Sequence, residues 1–316
     1  MAVFLGVDTS NYTTSLALYD ADTHTVTQQK RLLPVKEGTL GLRQSDALFH
    51  HVKQLPELME ALCHGKTLKV AGVGVSLRPM EREGSYMPCF LAGEGLAREL
   101  AAVWQVPLYG LTHQQGHIAA ACLGAGHTEL LDAPFLAFHV SGGTTDGLLV
   151  RPREDGGISC ELVAGSLDLK AGQLVDRVGG LLGLSFPAGP ALDKLAAESD
   201  ASFRCRPSLE GNGCHLSGVE NQCKHLLEKG TPPADVARFC LLSIEAALTA
   251  MTDRLLEQYG RLPLVFAGGV MSNSLLKARI TARYGAYFAP PAFSADNAAG
   301  IAYLASRMAE KEVSYG

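Results

Sequence analysis

His113-Gln114-Gln115-Gly116-His117 carries two imidazoles four residues apart. On an α-helix that spacing puts both on one face, a turn from each other. Two ring nitrogens so placed can reach one divalent ion. A third donor must come from elsewhere, and His139 and Asp296 are the candidates. The alternative is a pair of exposed helix histidines that bind nothing. The zincin pattern is absent, since no Glu follows the first His and Gln114 cannot act as a general base. This argues against peptidase chemistry of that type and leaves a metalloprotease a distant fourth reading. Imidazoles with a carboxylate favour iron or zinc over magnesium.

Three glycine- or hydroxyl-rich turns could hold an anion. In Ser141-Gly142-Gly143-Thr144-Thr145-Asp146 the glycines let a ligand approach the backbone, and consecutive N–H groups form an anion nest. The alternative is an ordinary tight hairpin. Ala267-Gly268-Gly269-Val270-Met271-Ser272-Asn273 joins an apolar strand to a helix, a setting for phosphate or adenosine at a helix N-terminus. The alternative is a tight turn capped by Ser272 or Asn273. A third fingerprint glycine and a Walker lysine are both missing, so it is neither motif. Asp8 opens a third turn, Asp8-Thr9-Ser10-Asn11-Tyr12-Thr13-Thr14, where a carboxylate either organises metal-bound water or phosphate or caps its own backbone. Asp168, Gly172 and Asp176 recur every four residues, as ribose acceptors or as a solvated helix face. Cys205, Cys214-His215, Cys223 and His225 match no standard zinc spacing.

The elements that must position these groups follow from periodicity. Apolar runs predict strands at 3–7, 15–19, 68–77, 107–111, 135–140, 147–150 and 263–267. Helical spacing covers 45–64 through Leu48, Val52, Leu55, Leu58, Met59 and Leu62. Further helices are expected at 93–103, 113–123 (entered through Thr112), 174–182, 191–198, 234–259, 275–284 and 297–311. Residues 151–157 read as a loop and 199–222 as irregular. Strand, small-residue turn and strand at 3–19 recur at 135–150, which points to two related halves.

At ~150 residues per domain, 316 residues predict two. The boundaries expected are 1–132 for an N-terminal lobe and 133–296 for a C-terminal lobe, with the last helix, about 297–316, a candidate to pack back on the first. Charges of 27 basic and 32 acidic residues exclude nucleic-acid binding by global charge, leaving only a local patch such as Arg204, Arg206, Arg279 and Arg283. No basic leader and no apolar run of ~18 residues is present, so no signal peptide or membrane span is expected. The eight cysteines then read as reduced thiols of a cytoplasmic protein.

In this order the motifs resemble the tRNA threonylcarbamoyladenosine transferase family, the bacterial and Kae-type proteins long labelled O-sialoglycoprotein endopeptidases, over roughly residues 3–305. The resemblance implies an α/β fold of two ribonuclease-H-like lobes of actin and sugar-kinase type, with a nucleotide and metal cleft between them. It implies His113, His117 and Asp296 as metal ligands, with His139 where some members supply a further one. Ser141, Gly142 and Gly143 would approach phosphate or the acyl-adenylate, Asp176 and Gly189 the ribose, and Asn273 the adenine. The implied reaction moves threonylcarbamoyl from its adenylate to N6 of adenosine 37 of tRNA, with partner proteins of the modification complex. Departures stand beside this. Asn11-Tyr12-Thr13 replaces Cys-Asp-Glu, Gln173 replaces a glutamate, and Ser76 to Ser85 replaces a Gly-Pro-Gly-Leu strand end. They leave open a diverged paralogue, either a carbamoyl-type transferase on another substrate or a nucleotide-binding partner protein.

Overall fold

Val3–Ser10 (β1) and Thr13–Asp20 (β2) pair antiparallel and are buried almost throughout. In the computed structural model, which describes residues 2–10, 12–34, 42–294 and 298–315, both strands run beyond the apolar stretches. Threonine favours strands through its β-branch, so the ladder continues through Thr9, Ser10, Thr13 and Thr14. Asp8 therefore sits inside the sheet opposite Ser15, not in an open turn as the sequence suggested.

The chain continues through Thr25–Leu32 (β3), Gln44–Cys63 (α1), Val70–Arg78 (β4), Phe90–Trp104 (α2), Leu108–Thr112 (β5) and His113–Ala125 (α3). The first sheet has the order β3-β2-β1-β4-β5, with β1, β4 and β5 parallel. Val7, Leu16, Leu58, Val75 and Ala97 centre its core.

Phe135–Val140 (β6), Thr145–Pro152 (β7), Ile158–Gly165 (β8), Ala171–Leu181 (α4), Gly189–Ala197 (α5), Ser208–Glu210 (β9), Gly213–His215 (β10), Ser217–Glu228 (α6) and Pro233–Tyr259 (α7) follow. Leu264–Ala267 (β11), Ser274–Tyr284 (α8), Tyr287–Phe288 (β12), Pro291–Ser294 (α9) and Ala299–Tyr315 (α10) complete the chain. The second sheet runs β12-β11-β6-β7-β8. Its antiparallel β6–β7 hairpin and parallel β6–β11–β12 side repeat the first sheet's plan, so the recurrence seen in the sequence is a repeat of topology.

Two compact units result. One holds Met1–Ala133, Arg151–Cys160 and Ala292–Gly316; the other holds Pro134–Val150 and Glu161–Pro291. Among the described residues no helix is long and apolar enough to cross a membrane.

Several expectations are corrected. Residues 151–157 were expected as a loop; the loop is 153–157, because β7 runs on through Pro152. Within 199–222 lie the β9–β10 hairpin and the start of α6. β9 and β10 are three residues each, too short for a periodic apolar signal, whereas α6 carries one at Val219, Cys223, Leu226 and Leu227 that the irregular reading of 199–222 passed over. β3 was missed as a largely exposed strand reading Thr-Val-Thr-Gln-Gln-Lys-Arg-Leu. Asp168 precedes α4 and so does not share a helix face with Asp176. On α1 the buried face is Ala47, His51, Gln54, Leu55, Leu58 and Leu62, while Val52 is exposed.

Candidate active site

Thr112 ends β5 and caps α3. Its hydroxyl accepts from the Gln115 N–H at 3.2 Å, and its own N–H donates to Gln115 Oε1 at 2.7 Å. This reciprocal box fixes the first turn of the helix. His113 and His117 then project from one face, ring centroids 4.3 Å apart and planes at 78°. The Gln115 amide nitrogen donates onward to the Ile158 carbonyl at 2.5 Å and to Glu81 Oε1 at 3.1 Å. Glu81 Oε2 accepts from the Cys160 N–H at 3.2 Å. The segment that departs from the family's Gly-Pro-Gly-Leu thus braces the histidine helix from behind.

Asp8 is buried, and its Oδ2 lies 2.6 Å from His113 Nδ1. The other oxygen, Oδ1, accepts from the Ser10 N–H at 2.9 Å. A carboxylate on Nδ1 holds the proton there and leaves Nε2 as the lone-pair nitrogen, the arrangement that orients histidine ligands in metal sites. The pair of imidazoles, one of them braced by a carboxylate, fits a zinc- or iron-type ion. Asp296 lies outside the described residues. Ala298 beyond it donates its N–H to Ser15 Oγ at 2.8 Å, and Ser15 is the ladder partner of Asp8. His139 stands on β6 in the other unit, opposite Asp146. Burial pushes the Asp146 carboxyl up, against the pull of Lys170. Among the described residues no group of three His, Cys, Asp or Glu is arranged to hold a metal.

Sequence reasoning missed His51. It is fully buried on α1, with Nδ1 2.8 Å from Thr14 Oγ1, which donates to Gln54 Oε1 at 2.7 Å. His51 is therefore the donor to Thr14, and its Nε2 has no partner among the described residues. Burial pushes its pKa down to about 4, against the Ser10 backbone and the Asp8 charge. The spacing 47-51-55-58-62 was the available signal.

In the second unit a cavity of about 560 Å³ gathers Gly142, Asp176, Gly189, Gly269 and Asn273. Val175, Pro187, Pro190, Leu241 and Val270 give it apolar walls, and Lys194 and Asp193 were not foreseen. Its volume lies in the range of small-molecule sites. Ser141, Gly143, Thr144 and Gly268 do not line it but shape it. The Ser141 N–H closes on the Thr144 carbonyl at 2.8 Å, and α4 is seated on this turn through the Gly172 N–H to the Ser141 carbonyl at 3.2 Å. Gly268 has φ 98°, and a β-carbon there would lie 2.7 Å from the Val140 carbonyl carbon, so only glycine fits. Asp176 Oδ1 accepts from the Ala188 N–H at 2.9 Å, leaving Oδ2 for a ligand hydroxyl. Asn273 Oδ1 caps α8 through the Leu276 N–H at 3.0 Å, leaving its amide nitrogen. Gln173 Oε1 accepts from the Lys170 N–H at 3.2 Å and so serves the start of α4. Asp168 accepts from Leu216 N–H at 2.8 Å and Ser217 Oγ at 2.5 Å. Burial opposes ionisation of Asp168, but these bonds hold its carboxyl far below the usual range.

A model of the tRNA N6-adenosine threonylcarbamoyltransferase family matches residues 26–303. The enzymes of that name from two strains of Thermus thermophilus are 32% identical over 310 residues, covering 96% of this chain and 92% and 91% of theirs. Solved structures share the fold at low identity. HypF in its phosphate- and nucleotide-bound form gives a TM-score of 0.62 at 14% identity, over 100% of this chain and 56% of that one. Component A of (R)-2-hydroxyglutaryl-CoA dehydratase from Acidaminococcus fermentans gives 0.56 at 14%, over 99% and 100% of the two chains. A ROK-family glucokinase from Streptomyces griseus gives 0.52 at 13%, over 96% and 98%. These neighbours share the actin and sugar-kinase type of fold, and the two five-stranded mixed sheets belong to it. With the match over residues 26–303 and the identity across almost the whole length, the chain belongs to the tRNA N6-adenosine threonylcarbamoyltransferase family, a family of transferase enzymes.

Proposed function

We propose that the protein transfers a threonylcarbamoyl group from its adenylate to N6 of adenosine 37 of tRNA. The observation that carries this reading is the cavity on which five of the expected nucleotide-side residues converge. The adenylate would lie there, its base against Val175, Pro187 and Val270, its ribose hydroxyl on Asp176 Oδ2, and its phosphate toward the Gly142–Gly143 turn. Backbone N–H groups of such a turn stabilise charge gathering on a leaving phosphate. His113 and His117, with Asp296, would hold one ion, iron or zinc before magnesium. When bound, that ion supplies Lewis-acid polarisation of an oxygen. Asp8 keeps His113 turned for it. No covalent protein nucleophile is required. Partner proteins of the modification complex and a cytoplasmic setting complete the reading.

One observation favours the second reading, a diverged transferase on another acceptor. Gln173, which replaces an acid expected on the ribose, is engaged with the Lys170 N–H instead.

The test is a transfer assay. Protein, with and without partner proteins, is mixed with threonylcarbamoyl-adenylate and unmodified tRNA, and nucleosides are analysed by mass. Modified adenosine from the wild type that disappears with His113→Ala supports the proposal. No product under all conditions, with nucleotide protection retained in a thermal melt, overturns it in favour of another acceptor.

A further inference from the structure

A chain with net charge −5 that acts on tRNA must meet the polyanion locally. In the second unit Arg204, Arg238 and Arg279 line a polar cavity of about 350 Å³ together with Phe203, beside Asp200 and Glu245. The segment 199–207 that forms one wall has no regular structure but is tied to α7 at three points. Ser199 Oγ donates to Asp235 at 2.5 Å, Arg238 Nε donates to the Ala201 carbonyl at 2.9 Å, and Ser243 Oγ lies 3.4 Å from Cys205 Sγ. The Arg238 bond uses Nε and leaves its terminal nitrogens for a ligand. Arg279 is answered by Glu245 at 3.4 Å, whereas the Arg204 side chain has no hydrogen bond or ion pair among the described residues. Three guanidiniums against two carboxylates leave a cationic surplus in a preformed hollow. Guanidinium forks match phosphate oxygens in pairs, and an aromatic ring among them suits a nucleotide's sugar and base. Phe203 is held edge-on by Phe239, ring centroids 5.3 Å apart.

We propose that this cavity binds a phosphate, with its ribose, of the tRNA backbone. The proposal rests on the tRNA reading above and adds a binding site apart from the cavity assigned to the adenylate.

The experiment measures unmodified tRNA binding by fluorescence anisotropy across a KCl series, for the full chain and for Arg204→Ala/Arg279→Ala. The expected result is affinity weaker by roughly tenfold at low salt, and a log–log salt slope shallower by about 1 to 2, one for each phosphate no longer held. ATP protection in a thermal melt should match the wild type, showing that the variant is folded. Wild-type affinity and slope in the variant overturn the proposal, as does a wild type that binds no tRNA. Displacement of tRNA by inorganic pyrophosphate beyond the effect of matched ionic strength assigns the cavity to a small polyphosphate and also overturns it. Transfer is scored separately. Product formed with unchanged binding in the variant removes this site and leaves the reaction. Impaired binding in the variant without product from the wild type removes the reaction and leaves the site.

Discussion

Gly116 of α3 and Gly300 of α10 meet backbone to backbone: a β-carbon added at Gly300 would overlap the Gly116 carbonyl oxygen and lie 2.6 Å from the Ala120 nitrogen. Gly300 is thus the packing requirement, and it lets α10 cross the histidine helix closely; a β-carbon at Gly116 would meet the Ile301 side chain, with Cδ1 at 2.7 Å. Gly300→Ala is expected to destabilise by about 1 to 3 kcal/mol or more, the usual range for overpacking. Urea denaturation measures this, and a neutral result would mean that the crossing is loose.

Asp8→Asn tests the brace on His113. The amide keeps the oxygen that accepts from Ser10 but loses the carboxylate on Nδ1. Metal affinity is expected to fall roughly 10- to 100-fold, as for other partners behind histidine ligands. Titration with zinc or iron reads this directly. Unchanged affinity would show that His113 needs no such support.

Gln115→Ala would remove the capping box and leave the Thr112 N–H and Ile158 carbonyl without this partner. A loss of about 1 to 3 kcal/mol is expected for buried groups left unsatisfied, together with weaker metal binding. Glu81→Ala should show a smaller effect of the same sign: it removes the outer partner of Gln115 and the acceptor of the Cys160 N–H but leaves the capping box in place. Chemical denaturation of both variants checks the order.

His51 sets a pH dependence. Its folded pKa of about 4 lies below the ordinary 6.5, because burial disfavours the charged ring. As pH falls, the unfolded chain takes the proton first. The stabilisation is complete above about pH 6.5 and is lost as the pH falls towards 4. Denaturation midpoints at pH 7.5 and pH 5 should show the wild type less stable at pH 5, with a smaller difference in His51→Gln. Equal pH dependence in the two proteins would remove His51 as the cause.

Asp176→Asn should leave the Ala188 contact in place but weaken the acceptor proposed for the ribose. Protection by ATP in a thermal melt is expected to shrink while the ligand-free midpoint stays near the wild type. Full protection would move the ribose elsewhere.

The framework was legible along the chain. Long apolar runs marked β1, β4, β6 and β11, and the Thr112–Gln115 pair marked the start of α3, because burial and capping are local patterns. The order of motifs by which the family is recognised was equally plain there. Short or exposed strands escaped: β3 is largely exposed, and β9 and β10 are too short to show a period, so none stands out from a loop. The stripe of α6 at Val219, Cys223, Leu226 and Leu227 was present in the sequence and was passed over. Which polar groups meet was settled by folding alone. Asp8 reaches His113 across 105 positions only because β1 and β5 flank β4 in one sheet. Glu81 finds Gln115, and His51 is buried under Thr14, for the same kind of reason. Hydrogen bonds at this range depend on packing geometry, and no spacing along the chain encodes it.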